Sequence, residues 1–559
     1  MAVKTLTIAE YLLERLKELG IKDVFGVPGD FSLGFLDYIE DDKDLNWVGC
    51  VNELNAGYAA DGYARIHGIA ALSTTFGVGE LGSCAAVAGS FSELVPVVHI
   101  VGVPSTKLQA HGALLHHTLG NSDFRVYERM YQEITVANGM ITQENAAETI
   151  DRVLTTCVQK VRPVYLSIPT DVVSHKITVD MQPLPLKKKQ QCTSEEFEAT
   201  LEAILQEVEK AKHPVILVDG CVVRHKVIRE TTELVERTGL AFFASPFAKG
   251  AIDESHPQFR GVYSGETSLP AVIEEFKKAD LVLNVGAIRS DFNTGGFSYH
   301  VGMNRTIELH SDHTKVFYAL YDRVSMHELL PALAKRISPR KCTFDRPILL
   351  EKEPGSSTDG ITHRYFWPQL SEFMHKDNII LAETGTAVFG ALATKFPDGA
   401  TFVSQILFGS IGYTVGACLG CCKAGEPHGR QIILLVGDGS FQLTAQEVST
   451  MLRYGVKPVI VLLNNGGYTI EKLIHGENRK YNNIHPWQYV KTLEYFGAQE
   501  GQAGVQCVVK TRGELEEAMK KAVTQRDKIH FVEVVFMDSM DAPDSLKLQA
   551  EKAKVANEY

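Results

Sequence analysis

An α/β chain of three doubly wound, parallel-sheet domains follows from three features of the sequence. Short apolar runs alternate with amphipathic helical patterns along all 559 residues, as βαβ units require. Two polar stretches carrying prolines interrupt the alternation and cut the chain into rough thirds. The length agrees, at about 150 residues per domain. With 45% hydrophobic and 22% charged residues, there is enough apolar surface to fill several cores. The formal charge of −12 makes nucleic acid and anionic membrane poor partners. No apolar run approaches the roughly 20 residues of a membrane span, and the N-terminus lacks a signal-peptide pattern, so the expectation is a cytosolic protein.

Taken in order, Thr7 and Glu10 form a capping box, Ile8, Leu12, Leu16 and Leu19 share one helical face, and Gly20 closes that helix. Residues 23–29 read as a strand and turn. Further strands are expected at 95–102, 164–169, 214–219, 279–286, 379–382, 432–436, 459–463 and 531–536. Residues 179–190, with Pro183, Pro185 and the lysines 187–189, read as one linker, and 339–360, with Pro354 and Gly355, as the other. The domains are therefore expected at 1–185, 191–340 and 360–559. The ten cysteines are scattered, mostly in apolar contexts. Cys418 and Cys421, beside Cys422, make a C-x-x-C with no second ligand pair at zinc spacing, so they read as packing thiols. Gly77, Gly79 and Gly82 match G-x-G-x-x-G, but no acidic residue follows about 20 residues on, as a dinucleotide site requires. They are expected to make a tight strand-to-helix turn.

The strongest chemical signal is Gly437-Asp438-Gly439-Ser440, followed downstream by Asn464-Asn465-Gly466-Gly467. Each element ends an apolar run, with a helical pattern expected from about Thr444. Both therefore stand at C-terminal strand ends, where open parallel sheets bind ligands. Mg²⁺ takes six oxygens in an octahedron and usually only a few from protein. The Asp438 carboxylate, the Asn465 amide oxygen and the Gly467 carbonyl are the candidates here, with a diphosphate and water completing the shell. The glycines let backbone amides approach phosphate closely, and Ser440 and Thr469 offer hydroxyl donors.

This spacing resembles the thiamine-diphosphate (ThDP) fingerprint. Further runs resemble the ThDP-dependent 2-oxo acid decarboxylases, especially the pyruvate decarboxylase branch: Val27-Pro28-Gly29-Asp30, Asn52-Glu53-Leu54-Asn55, Leu115-His116-His117-Thr118, Ala382-Glu383-Thr384-Gly385-Thr386 and the stretch from Gly467 to Gly476. The run Ser290 to Gly295 is similar to the fungal members. The resemblance implies ThDP and Mg²⁺ as cofactors, with Thr386, Gly409, Ile411, Gly439, Ser440, Thr469 and Ile470 among the cofactor-binding residues. It implies that Glu53 shares a proton with the aminopyrimidine and that Asp30, His116, His117 and Glu471 form a coupled proton-donating set. It further implies a substrate pocket lined by Ile470 and Ile474, with Phe292, Ala387 and Phe408 as further walls. Because Glu53 and the metal ligands come from opposite ends of the chain, the resemblance implies a homodimer at minimum and commonly a homotetramer.

Two departures and two alternatives accompany that reading. Phe408 stands where the similar pyruvate decarboxylases carry Trp, which leaves room for larger branched-chain or aromatic 2-oxo acids. Glu93 and Cys221 match the fungal members, but Leu94 replaces a histidine, so weak substrate activation is expected. An acetolactate-synthase-type carboligase and a non-catalytic ThDP-binding protein are the other readings. The protonating set argues against the first, and the intact Glu53 and Glu471 against the second.

Overall fold

The computed structural model describes residues 3–187, 192–341 and 347–557. Lys188 and Lys189 of the first expected linker, and residues 342–346 of the second, lie outside the described residues.

Three large sheets stand in chain order. The first runs Asn46–Gly49, Asp23–Gly26, Ala70–Thr75, Val97–Val103, Val164–Pro169, Asn138–Met140, and every neighbouring pair is parallel. The third runs Thr401–Val403, Ile379–Ala382, Ile432–Gly437, Val459–Asn464, Ile529–Val535, Ala503–Val509, again all parallel. The two share one strand order, so their switch points, where crossovers leave to opposite sides, occupy equivalent places. The middle sheet is parallel from Phe259–Val262 to Thr306–Leu309 and then departs from that pattern. Its last two strands, His313–Val316 and Ala319–Asp322, are antiparallel. They are joined by short turns, which permit only an antiparallel return.

Every expected strand is present, with ends shifted by a residue or two. The edge strands Asn46–Gly49, Asn138–Met140 and Thr401–Val403 were not anticipated, because three or four residues carry too little periodicity to read. Two boundaries are corrected. The first expected linker began at residue 179, but Lys176–Asp180 is a strand paired antiparallel with Val3–Thr7, so irregular chain starts only after Asp180. The helix expected from about Thr444 begins at Asp438 and ends at Thr444, and a second helix, Glu447–Arg453, follows. Asp438 starts the first helix because its own carboxylate accepts the next backbone N–H, Gly439, at 2.9 Å.

The first and last thirds are packed together by the helices Glu53–His67 and Tyr413–Gly425. Glycines let the two backbones touch. A Cβ at Gly420 would stand 1.8 Å from Ala59 O, and one at Gly62 2.2 Å from Ala417 O. Across this seam Tyr413 donates to Asp61 Oδ1 at 2.6 Å, the same oxygen that Arg65 Nε reaches at 2.6 Å. The buried Arg65 continues to Ser404 O at 2.8 Å. Cys418, Cys421 and Cys422 are free and buried in the same apolar cluster, as packing thiols should be.

Candidate functional site

The loops after Ile432–Gly437 and Val459–Asn464, neighbouring parallel strands, deliver Asp438 and Asn465 to one place. Asp438 is buried. Its Oδ2 accepts from Gly466 N at 2.9 Å and Gly467 N at 3.0 Å, tying the two loops together. Burial pushes its pKa up to about 6 against the pull of these N–H donors and of Lys472. One end of the Asn465 amide lies 3.1 Å from Asp438 Oδ1 and 2.9 Å from Gly467 O, and its other end lies 2.8 Å from Thr469 Oγ1. With nitrogen at the first end, the amide donates to both oxygens. With oxygen there, three oxygens face one another, an arrangement that a cation between them would stabilise. The three residues expected to ligate a cation are thus brought together.

Space adjoins it. A Cβ at Gly385, Gly437 or Gly466 would meet nothing within 4 Å. Gly467, in contrast, has φ +117, and a Cβ there would strike Asn482 O at 2.5 Å, so that position tolerates only glycine. Gly439 packs under the Tyr468 ring, and Ser440 follows it in the first turn of Asp438–Thr444. Thr386 begins the helix Thr386–Ala393 behind Gly385, whose φ is +106. Lys472, to which the sequence reading gave no role, is buried and donates to Gly466 O at 2.9 Å. Its ammonium adds positive charge beside Asp438.

A second group forms at the equivalent end of the first sheet. His116 Nε2 lies 2.7 Å from Asp30 Oδ2, and the nearest ligand atoms of Asp30, His116 and His117 all fall within 4.8 Å of one another. Phe31 stacks on His116 and meets His117 edge-on. His117 has φ +66, held by Tyr127 OH donating to its carbonyl at 2.9 Å. Gly77 makes room for that carbonyl, since a Cβ there would stand 2.2 Å from it. The G-x-G-x-x-G run is therefore a strand-to-helix turn, as expected, and it serves Glu53 too. Glu53 opens its helix under the Asn52 cap. Its carboxylate lies over the same glycines, 3.1 Å from a Cβ built on Gly82.

The remaining expected residues divide into groups. Phe292, Ala387 and Ile470 share the apolar cluster of the last third, with Phe292 edge-on to Phe389. Ile474 is on the same short helix as Ile470. The Phe408 ring lies 3.2 Å from a Cβ built on Gly89. Gly409, with φ +61, and Ile411 follow on that loop. Glu471 is exposed on the helix Thr469–His475, and among the described residues it shares no hydrogen bond with Asp30, His116 or His117. The loop is anchored by contacts the sequence did not announce. Ser410 Oγ lies 2.6 Å from Tyr58 OH, and the buried Glu93 accepts from Leu407 N at 2.7 Å and Phe408 N at 3.1 Å. Glu93 stands between Ser92 and Leu94 at the end of the helix Val78–Ser92, and no local pattern marks it as a loop anchor.

Comparisons with known proteins agree with this geometry. The family descriptions "Thiamine pyrophosphate enzyme, N-terminal TPP binding domain", "central domain" and "C-terminal TPP binding domain" match residues 6–123, 201–326 and 383–534 respectively. A pyruvate decarboxylase of Aspergillus fumigatus is 44% identical over 99% of this chain and 98% of its own. A putative pyruvate decarboxylase of Schizosaccharomyces pombe is 45% identical over 98% and 99%, and pyruvate decarboxylase isozyme 1 of Saccharomyces cerevisiae 42% over 99% of each. Among solved structures, a benzoylformate decarboxylase from Polynucleobacter necessarius superposes with a TM-score of 0.78 at 18% identity, covering 96% of this chain and 100% of that one, a likeness of fold. Matched from end to end at this identity, the chain belongs to the thiamine pyrophosphate enzymes, within their pyruvate decarboxylase-like branch.

Proposed function

We propose that this protein decarboxylates 2-oxo acids without oxidation, releasing an aldehyde and CO₂, with ThDP and Mg²⁺ as cofactors and pyruvate as the leading substrate. The observation that carries the reading is the convergence of Asp438 Oδ1, Gly467 O and the Asn465 amide in a chain matched throughout to pyruvate decarboxylases. Those three residues hold Mg²⁺, and Ser440, Thr469 and the backbones of Gly439 and Ile470 hold the diphosphate. Thr386, Gly409 and Ile411 hold the organic part. Bound there, ThDP supplies the carbon nucleophile and the electron sink. Glu53 exchanges a proton with the aminopyrimidine nitrogen. Asp30, His116, His117 and Glu471 deliver the proton that the product carbon needs after CO₂ leaves, and the apolar walls Phe292, Ala387, Ile470 and Ile474 favour loss of the carboxylate charge.

The exposed apolar side chains around both half-sites support a homodimer or larger homo-oligomer. Val51, Val78 and Leu81 flank Glu53, while Ile411 and Leu443 flank the other half. Covering them with a second copy would bring Glu471 to the Asp30 and His116 group of its partner. The nine described cysteines are all free, and no described helix is long and apolar enough to cross a membrane; both fit a cytosolic enzyme. The test is acetaldehyde and CO₂ release from pyruvate with ThDP and Mg²⁺, run beside 2-oxoisovalerate, phenylpyruvate and indolepyruvate. No aldehyde from any of them refutes the reading.

A further inference from the structure

Two segments assigned above to the organic part of the cofactor come from separate places in the chain. Residues 384–386 follow the strand Ile379–Ala382, whereas 409–411 precede the helix Tyr413–Gly425. They nevertheless adjoin, since a Cβ on Gly409 would lie 3.8 Å from Thr384 Cγ2. Gly385, Gly409 and Gly412 all have positive φ, and neither 384–385 nor 409–411 lies in a helix or strand that would fix its course.

What joins them is Glu383. Its side chain is fully buried. One carboxylate oxygen, Oε1, accepts from Thr384 N at 2.9 Å, and the other, Oε2, accepts from Thr414 N at 3.1 Å and Thr414 Oγ1 at 2.6 Å. Its own backbone is fixed at the strand end, with N–H donating to Leu435 O at 2.9 Å and carbonyl accepting from Val388 N at 3.0 Å. The carboxylate therefore spans from a rigid strand end to the start of the second helix, with Thr384 of the first segment on one oxygen and Thr414, three residues beyond the second segment, on the other. Each donor to it is a backbone N–H or a hydroxyl, and a buried carboxylate is kept in such a place only when its oxygens are this well satisfied.

We infer that Glu383 is a positioning residue, which sets the spacing between the 384–386 and 409–411 segments and so shapes the seat of the aminopyrimidine and thiazolium rings. This rests on the functional reading above. Glu383 does not touch the Asp438, Asn465 and Gly467 cluster, which the strands Ile432–Gly437 and Val459–Asn464 carry independently. Its loss should therefore weaken recognition of the rings and spare that of the diphosphate. Glu383→Gln keeps the volume but turns an amide N–H₂ toward an N–H donor on one side. Thr414→Val removes a single donor and leaves the backbone bond.

The experiment measures binding to the cofactor-free protein in the presence of Mg²⁺, with ThDP followed by protein fluorescence and inorganic diphosphate by calorimetry. Glu383→Gln should weaken ThDP about tenfold or more, and Thr414→Val less but in the same direction, while inorganic diphosphate stays within about twofold in both. Wild-type protein that binds no ThDP overturns the functional reading and this inference with it. If wild type binds ThDP, equal affinity in Glu383→Gln, or a parallel loss for both ligands, overturns the inference alone. If Glu383→Gln does not fold, Thr414→Val decides, and unchanged ThDP affinity there overturns the assignment.

Discussion

His116 Nε2 lies 2.7 Å from Asp30 Oδ2, with both side chains at least half exposed (57% and 50%) and the imidazole stacked on Phe31. A contact so open to water adds little to stability. Asp30→Asn should leave the melting temperature within about 2 °C and lower turnover by roughly 10²- to 10⁴-fold, the usual range for a lost acid-base group. Thermal unfolding and steady-state rates on one preparation check this. A variant that turns over normally removes Asp30 from the protonating set.

Glu53 and Glu471 stand on different helices with different surroundings, and their loss should interrupt different steps. Glu53→Gln should slow hydrogen exchange at the reactive carbon of bound ThDP, while Glu471→Gln and His117→Phe leave exchange nearly intact and impair steps after substrate addition. Exchange followed by NMR in deuterated buffer separates them. Equal loss of exchange in Glu471→Gln would falsify the division.

Asp438 should make metal retention pH-dependent. A protonated carboxyl cannot ligate Mg²⁺, so affinity should fall as pH drops through about 6, by up to tenfold per unit. In metal-free protein the sign reverses. A carboxyl whose folded pKa is raised stabilises the fold fully below its unfolded value, near 4, and that contribution is lost as pH rises through about 6. Melting temperatures between about pH 5 and 7, with Mg²⁺ and ThDP or with chelator, should therefore trend in opposite directions for this group, and Asp438→Ala should abolish the difference.

Leu94 and Cys221 meet in one apolar cluster of the middle third. Burial pushes the Cys221 thiol up to about 12, which leaves almost no thiolate at neutral pH, and Leu94 carries no proton or hydrogen bond. The rate curve against pyruvate should be close to hyperbolic and unchanged by Cys221→Ser. Strong sigmoidicity that disappears in that variant would refute this.

Gly420→Ala tests the seam between the first and last thirds. Its new Cβ would stand 1.8 Å from Ala59 O, a backbone atom that cannot rotate away. Overpacking of this kind costs about 1 to 3 kcal/mol. Denaturant melts should show that loss, and Gly429→Ala, where nothing lies within 4 Å but φ is +72, should lose less, through backbone strain alone.

The linear chain determined those parts of this protein that depend on neighbours in sequence. The Thr7 and Glu10 cap, the buried strands 432–436 and 459–463, and the grouping of Asp438, Asn465 and Gly467 at adjoining strand ends were legible because hydrophobic period, capping chemistry and glycine conformation act over a few residues. The roles expected of Glu53 at the aminopyrimidine and of Asp30 and the His pair on the substrate side came from resemblance, since an isolated Glu or His carries no such signal. Folding in three dimensions decided the rest. That the first and third sheets share a strand order, that Phe408 lies against Gly89, and that Glu93 and Glu383 each tie distant backbones are results of long-range packing. A buried carboxylate finds its donors wherever the fold brings unpaired N–H groups, and those partners lie far away in sequence, where no local pattern records them.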